Sequence, residues 1–515
     1  MTTNDSTDPL NWRPAGRREW WGLAVLVLPT LLLALDMTVL HLAAPQLSAD
    51  LQPSSAQLLW ILDIYGFMVA GFLITMGTLG DRIGRRRLLL IGAFAFGLAS
   101  IAAAFATSSE MLIATRALLG VAGATLMPST LSLIRNMFHV PHERTLAITV
   151  WMTGFIVGTA IGPLIGGIVL EFFWWGAVFL LAVPVMVLLL VAGPFLLPEF
   201  RDEQAGRLDL TSALLCVCAL LLVIFGLKDM ARDGLNLLAV AAGLLGLAVG
   251  TAFVRRQRSL ADPMLDMDLF RRRTFTVSVV AMLMSILALS GAWLLIFQYL
   301  QGVMGYSALA AGVVMLPSAI LQTIASLLVP RMSRWLQPSW LVSGGLAIAV
   351  LGFVALLMIE GASGVGWMVL GTILLGVGVM PMMILGTDLV ISSVPPEKTG
   401  AAAATSETAT ELGMAMGIAV IGSVGAAIYR TYMQGRMPPG LDSEQIEIAT
   451  DTLGGALGIA QQLSPALAES LLVVVQSAFA EALHANALIG AAIMLAAAIL
   501  TAICLREVRV RPGDH

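Results

Sequence analysis

Two glutamates four residues apart, Glu407 and Glu411, sit inside the apolar stretch TGAAAATSETATELGMAMGIAVIGSVGAAIYR at 399–430. On a helix that spacing puts both carboxylates on one face. The stretch is long enough to cross a bilayer, where a carboxylate costs ~2.5 kcal/mol or more. Such a face must look into a water-filled cavity or onto a partner, and its chemistry there is the binding of protons or of a cation. Three further acids fall inside apolar stretches, Asp36, Asp63 and Asp388. Asp36 and Asp63 lie deep; Asp388 is a turn from the end of its stretch, where a half-exposed surface acid is an equal reading. Arg116 is the one basic side chain expected at similar depth, so the cavity should be net negative and favour lipophilic cations. Trp60, Tyr65, Trp151, Phe155, Trp293, Phe297 and Tyr299 share these stretches and can add cation–π contacts of ~0.5–2 kcal/mol each. Packing or an interface belt accounts for most of them, leaving two or three for the cavity. Met37, Met68, Met152, Met380, Met414 and Met416 would make an adaptable wall, with helix packing the equal alternative.

The elements that must position these groups follow from composition. The chain has 515 residues, 58% hydrophobic, with a mean hydropathy of +0.91. Charged residues make up 12%, about half the ~25% of soluble domains. This is an integral membrane protein, all-α, lying almost wholly in the bilayer. Fourteen apolar runs reach spanning length, at 20–44, 57–79, 88–107, 111–134, 145–169, 176–197, 208–227, 235–254, 275–300, 308–329, 339–359, 364–391, 400–429 and 484–505. The first is too long for a secretory leader and lacks a small-residue cleavage site. With the N-terminus placed in the cytoplasm, 23 arginines and lysines fall on the cytoplasmic side. Four fall on the other side: Lys228, Arg232, Arg430 and Arg436. That asymmetry supports an even number of spans with both termini cytoplasmic. The segment 431–483 is the longest outside the spans. It reads as an outer helical hairpin split at Pro465. Cys216, Cys218 and Cys504 all lie in apolar runs and read as small core residues.

Three motifs carry organisation. GTLGDRIGRRRLL at 77–89 places Gly77, Gly80 and Gly84 around Asp81, Arg82 and Arg85. The glycines allow a tight turn and close helix approach, and the charges suit a latch at the membrane surface. RALLGVAGATLMP at 116–128 opens on Arg116. GFIVGTAIGPLIGG at 154–167 contains Gly158, Gly162, Pro163, Gly166 and Gly167; glycines every four residues permit tight packing, and a proline loosens the helix.

Together these stretches resemble the major facilitator superfamily. The first resembles its signature loop, the second the span 4 arginine motif of its proton-driven members, and the third the span 5 antiporter motif. LDMTVLHLAAP at 35–45 resembles the span 1 motif of its fourteen-span drug:proton antiporters; His41 stands there where many members have Asn, and a packed helix-face histidine is the simpler reading. WILDIYGFMVAG at 60–71 and ATSETATELG at 404–413 resemble the bacterial multidrug efflux pumps of the QacA, SmvA and LfrA type.

The resemblance implies two six-helix bundles, 20–197 and 275–505, with an inserted helix pair and its cytoplasmic linkers at 198–274. A cytoplasmic N-terminus, 1–19, and a tail, 506–515, flank them. It implies alternating access driven by the proton gradient, no cofactor, and a monomer in the bacterial cytoplasmic membrane. Asp36 and Asp63 would bind drug or protons, Arg116 would handle protons, and Glu407 and Glu411 would serve dications. Lipophilic cations such as quaternary ammonium compounds and dyes, together with protons and membrane lipid, would be the partners, with no nucleic acid. The same fold could instead export an endogenous metabolite, antibiotic or siderophore. An enzyme or an ATP-driven pump is disfavoured: no HExxH, GxSxG, GxxxxGK[ST] or Cys/His cluster occurs, so metal and nucleotide chemistry have no visible seat.

Overall fold

The computed structural model describes residues 14–201, 209–260, 263, 265–333, 335–359, 364–394 and 399–506. Arg13, Arg207, Arg334, Lys398, Arg509 and Arg511 lie outside the described residues, as do the side chains of Met37 and Arg232. Regular structure among the described residues is helical. The first group is α1 (Arg17–Leu51), α2 (Ser55–Ile83), α3 (Arg85–Ala104), α4 (Ser109–Met137), α5 (Pro141–Phe172), α6 (Ala177–Leu180) and α7 (Ala182–Leu196). Next come α8 (Leu210–Asp233) and α9 (Leu237–Ser259). The last group is α10 (Arg273–Gln298), α11 (Ala308–Met332), α12 (Pro338–Leu356), α13 (Val365–Ser392), α14 (Thr399–Gln434), α15 (Ser443–Asp451), α16 (Leu453–Ala460) and α17 (Pro465–Cys504).

Polar residues punctuate the apolar runs. Side chains of Ser54, Ser108, Asp209, Asn236 and Ser307 accept hydrogen bonds from backbone N–H groups in the first turns of α2, α4, α8, α9 and α11, satisfying donors that helix starts leave open. Proline opens α5, α12 and α17, where its missing N–H costs nothing.

Thirteen helices among the described residues are long and apolar enough to cross a membrane, or fourteen when the bent pair Leu146–Thr159 and Ile161–Phe172 is one span. The 45° bend in α5 has its cause in Pro163, which cannot donate to the Thr159 carbonyl one turn back. α1, α2, α3, α4, α5 and α7 pack among themselves, and α10 to α14 pack with α17. The two bundles meet where α2 lies on α14 and α5 lies on α11. The pair α8 and α9 pack on each other, and α8 also rests against α2 and α14, at the seam between the bundles.

Two ends of the molecule are distinguishable: a basic end carrying residues 82–87, and a hairpin end carrying α15 and α16. The expected outer hairpin differs from what is found. α17 runs unbroken for 40 residues from Pro465, about 60 Å at 1.5 Å per residue. The presumed second limb of the hairpin is therefore the first part of the last spanning helix. The division at Pro465 is found, with α15 and α16 before it and α17 starting at it; the difference is that the piece after it belongs to the last span.

Candidate functional site

The acids inside the spans do not stand alone. Asp36 on α1 pairs with Arg116 on α4 at 2.8 Å, and the Arg116 Nε donates to the Ile61 carbonyl on α2 at 3.2 Å. The guanidinium lies 4.7 Å from the Tyr65 ring centroid. Arg116 is 2% exposed while the Asp36 side chain keeps 15%, so the acid is the member of the pair nearer to water. This reach across three helices is what a long, planar donor such as arginine provides.

Asp63 on α2 has a partner that the apolar pattern did not reveal. Lys228 on α8 places its ammonium 2.8 Å from the Asp63 carboxylate and 3.8 Å from the centroid of the Trp60 ring. Both charged side chains are almost fully buried. This corrects the expectation that Arg116 is the one base at this depth: Lys228, counted above with the basic residues outside the membrane, is buried between helices. α8 continues through KDMARD and stops at Gly234, whose φ of 75° forms the cap; Asn236 then caps α9. The glycine and asparagine were the true punctuation, and the end of the apolar run was not.

Glu411 and Glu407 remain. Glu411 is 3% exposed, and its Oε2 accepts no hydrogen bond among the described residues. Glu407 lies a turn away on α14 and is half-buried. With Asp36 and Asp63 paired to bases, these glutamates are the acids of the four for which no basic partner is found among the described residues. Holding an uncompensated carboxylate away from water costs several kcal/mol; uptake of a proton or of a cation offsets that cost.

A central cavity of about 20 Å³ brings Asp63, Arg116, Glu411, Tyr65 and His41 together between α1, α2, α4 and α14. His41 is buried, and its Nδ1 has no partner among the described residues, so it faces the cavity as well as packing. Of the aromatics, Trp60 and Tyr65 flank the charges, and their faces already hold the protein's own cations. Trp151 donates its indole N–H to Thr130, Trp293 stacks on Phe297, and Tyr299 packs on Phe479; these serve the core. Phe155 is half-buried on α5, and Asp388 is exposed on α13.

The glycine-rich segments act at helix contacts. Gly84 adopts a φ of 109°, open to glycine and strained for other residues. Beyond it the chain is clasped by the end of α7: the Arg85 N–H donates to the Phe200 carbonyl, and Arg86 donates through its N–H to Glu199 and through its guanidinium to the Leu197 carbonyl. Asp81 pairs with Arg85 at 2.6 Å, and Gly80 lies against that arginine. Arg82 is exposed, and Gly77 sits in loose contact with Pro128.

On α5, Gly158, Gly162 and Gly166 lie against Leu31, Thr38 and Val39 of α1, while Gly167 and Pro163 meet Leu309 and Gly312 of α11. One face of α5 thus binds its own bundle and another face binds the opposite bundle. A Cβ on Gly158 would come within 2.4 Å of the Leu31 carbonyl oxygen. Gly158→Ala should therefore push α1 and α5 apart and cost ~1–3 kcal/mol, seen as a lower unfolding midpoint in detergent.

Contacts between the bundles gather toward the hairpin end. Gln301 donates to the Leu42 carbonyl. Arg430 on α14 binds both Asp451 of α15 and Ser55 of α2, and Asp451 accepts from the Ser55 backbone. α4 and α13 pack on helices of their own bundles.

Known proteins place this arrangement. "Multidrug efflux pump LfrA" of Mycolicibacterium smegmatis is 44% identical over 490 residues, 95% of this chain and 97% of that one. "Methyl viologen resistance protein SmvA" of Salmonella typhimurium is 38% identical over 488 residues, 93% and 96% of the two chains. The fold matches the crystal structure of a bacterial homolog of the lysosomal transporter Spinster, inward-facing and unoccupied, with a TM-score of 0.63 at 18% identity over 97% of this chain and all of that one. The sequence model described as Major Facilitator Superfamily matches residues 26–418, and on that match and these relatives the chain belongs to this superfamily, a family of membrane transporters and not of enzymes.

Proposed function

We propose that the chain is a proton-coupled antiporter that exports lipophilic cationic drugs by alternating access. It acts as a monomer in the bacterial inner membrane, without a cofactor, and its basic end and both termini face the cytoplasm. The observation that carries this reading is Glu411: a buried carboxylate in the central cavity, with an oxygen left unpartnered. Protons and a cation would compete for it. SmvA's name attaches methyl viologen, a dication, to a relative of this identity, which agrees with two glutamates on one face.

The cavity of about 20 Å³ suffices for one water, whereas ligand pockets hold ~300 Å³ or more. Loading a drug therefore requires the bundles to part. The cross-bundle contacts at the hairpin end favour parting at the basic end first, from the cytoplasm. Protonation from the outside would then release the drug, and loss of the proton to the cytoplasm would reset the cavity.

Purified protein in weakly buffered detergent should release protons when ethidium or methyl viologen is added, and Glu411→Gln should release fewer. Binding of either cation with no proton release would overturn the coupling. Export of a self-made antibiotic is a second reading, favoured by 29% identity over 490 residues to "Tetracenomycin C resistance and export protein" of Streptomyces glaucescens. Mutual competition of unrelated cations for binding would favour the multidrug reading over it.

A further inference from the structure

Lys228 sits five residues before the end of α8. A lysine so placed in a membrane helix ordinarily runs its stem to the interface and keeps its ammonium in water. Here the side chain turns inward and is 2% exposed. It ends on a carboxylate, Asp63, and on the face of an indole, Trp60. An aromatic face beside an anion is the arrangement by which proteins bind organic ammonium ions.

The same three helices carry an apolar cluster that includes Trp60 itself: Trp60 and Phe67 of α2, Leu221 and Ile224 of α8, and Leu412 and Met416 of α14. Asp63 also lines the central cavity, so the pocket joins the space where Glu411 lies. A small space adjoins the ammonium on its other side. This second cavity, about 10 Å³, is lined by Lys228 together with Ser55, Ser423 and Arg430 at the hairpin end. The Ser423 hydroxyl there has no partner among the described residues. Arg430 is already neutralised by Asp451.

We infer that the Lys228 ammonium is a built-in occupant of a lipophilic-cation site made by the Asp63 carboxylate and the Trp60 face, and that a substrate cation takes this site by displacing it. The inserted pair α8 and α9 thereby sets a threshold. A cation must compete with a tethered lysine, so weakly binding cations are rejected and desolvated aromatic ones are retained. The inference rests on the cation-export reading. It differs from a purely anchoring role for Lys228, in which removing the lysine gains no affinity.

The test is equilibrium binding of tetraphenylphosphonium to the full-length purified protein. Lys228→Met keeps the stem and removes the charge. It should bind about 10-fold more tightly than wild type, because a competitor that holds the site for most of the time lowers apparent affinity by the vacant fraction. The gain should vanish in Lys228→Met with Asp63→Asn. Equal or weaker binding by Lys228→Met, or a gain that survives loss of Asp63, overturns the inference.

A second measurement uses unaltered protein and so does not depend on the variant folding. Lys228 is one of two lysines in the chain, the other being Lys398, so reductive methylation at Lys228 is readily resolved by mass spectrometry. Saturating tetraphenylphosphonium should raise its methylation relative to Lys398, and unchanged or lowered labelling overturns displacement. Wild type that binds no cation at all defeats the export reading itself. Wild type that binds, with no change at Lys228, defeats this inference alone.

Discussion

Replacing Glu411 with Gln is expected to cut export of methyl viologen, a dication, about 100-fold and of ethidium, a monocation, about 10-fold. Gln keeps the shape and removes the charge. At ~6 Å and an effective dielectric of ~20, one charge pair is worth ~3 kcal/mol. Part of that is offset by hydration the cation gives up, leaving about 1.4 kcal/mol, or tenfold, per charge. A dication presents two charges to the same carboxylate and loses twice as much. The argument holds because Asp36 and Asp63 are already paired with Arg116 and Lys228, so the glutamates are the acids left without a basic partner among the described residues. Export of both cations from cells or proteoliposomes is the measurement; an equal loss for the two would defeat the charge-matching account.

That Glu411 lies buried inside a span was legible in the amino-acid sequence. Acids in apolar runs are conspicuous because the bilayer forbids them without a reason, and the basic loop at 82–87 marks one end of the molecule by composition alone. Bases are harder to read. Lys228 follows an apolar run directly, so it passes for the first residue of a link, and its helix continues another turn before Gly234 stops it. Hydropathy locates where a helix is oily, while glycine and asparagine locate where it ends. Pro465 marked a true helix start, but the end of the helix it opens was misplaced: residues 466–489 hold no glycine or proline to stop it, so it runs on into the last span. The aromatics were ambiguous for another reason. Trp60 and Tyr299 have similar surroundings in the chain, yet one faces a buried ammonium and the other packs on Phe479. Tyr299 opens the π-helical turn that follows α10, whereas Trp60 lies within α2, a difference composition does not encode.

Replacing Asp36 with Asn should abolish proton-driven ethidium export and also lower the unfolding midpoint, because it strands Arg116. That guanidinium is 2% exposed, and removing one partner of a buried pair costs ~3–5 kcal/mol. Stability loss alone would explain a dead transporter, so the informative variant is the double one. Asp36→Asn with Arg116→Gln removes both charges and should recover most of the midpoint while export stays at background. The reason lies in the geometry. Asp36 is the more exposed member of its pair, and Arg116 also lines the cavity that holds Glu411. A proton arriving on Asp36 would loosen Arg116 and let it turn toward Glu411, where a guanidinium evicts a bound cation by taking its counter-ion. Neutralising both residues leaves a sound bundle with no such exchange. If the double variant regained export driven by a pH gradient, Asp36 and Arg116 would be a structural clasp between α1 and α4, and proton coupling would have to run through Glu407 and Glu411 alone.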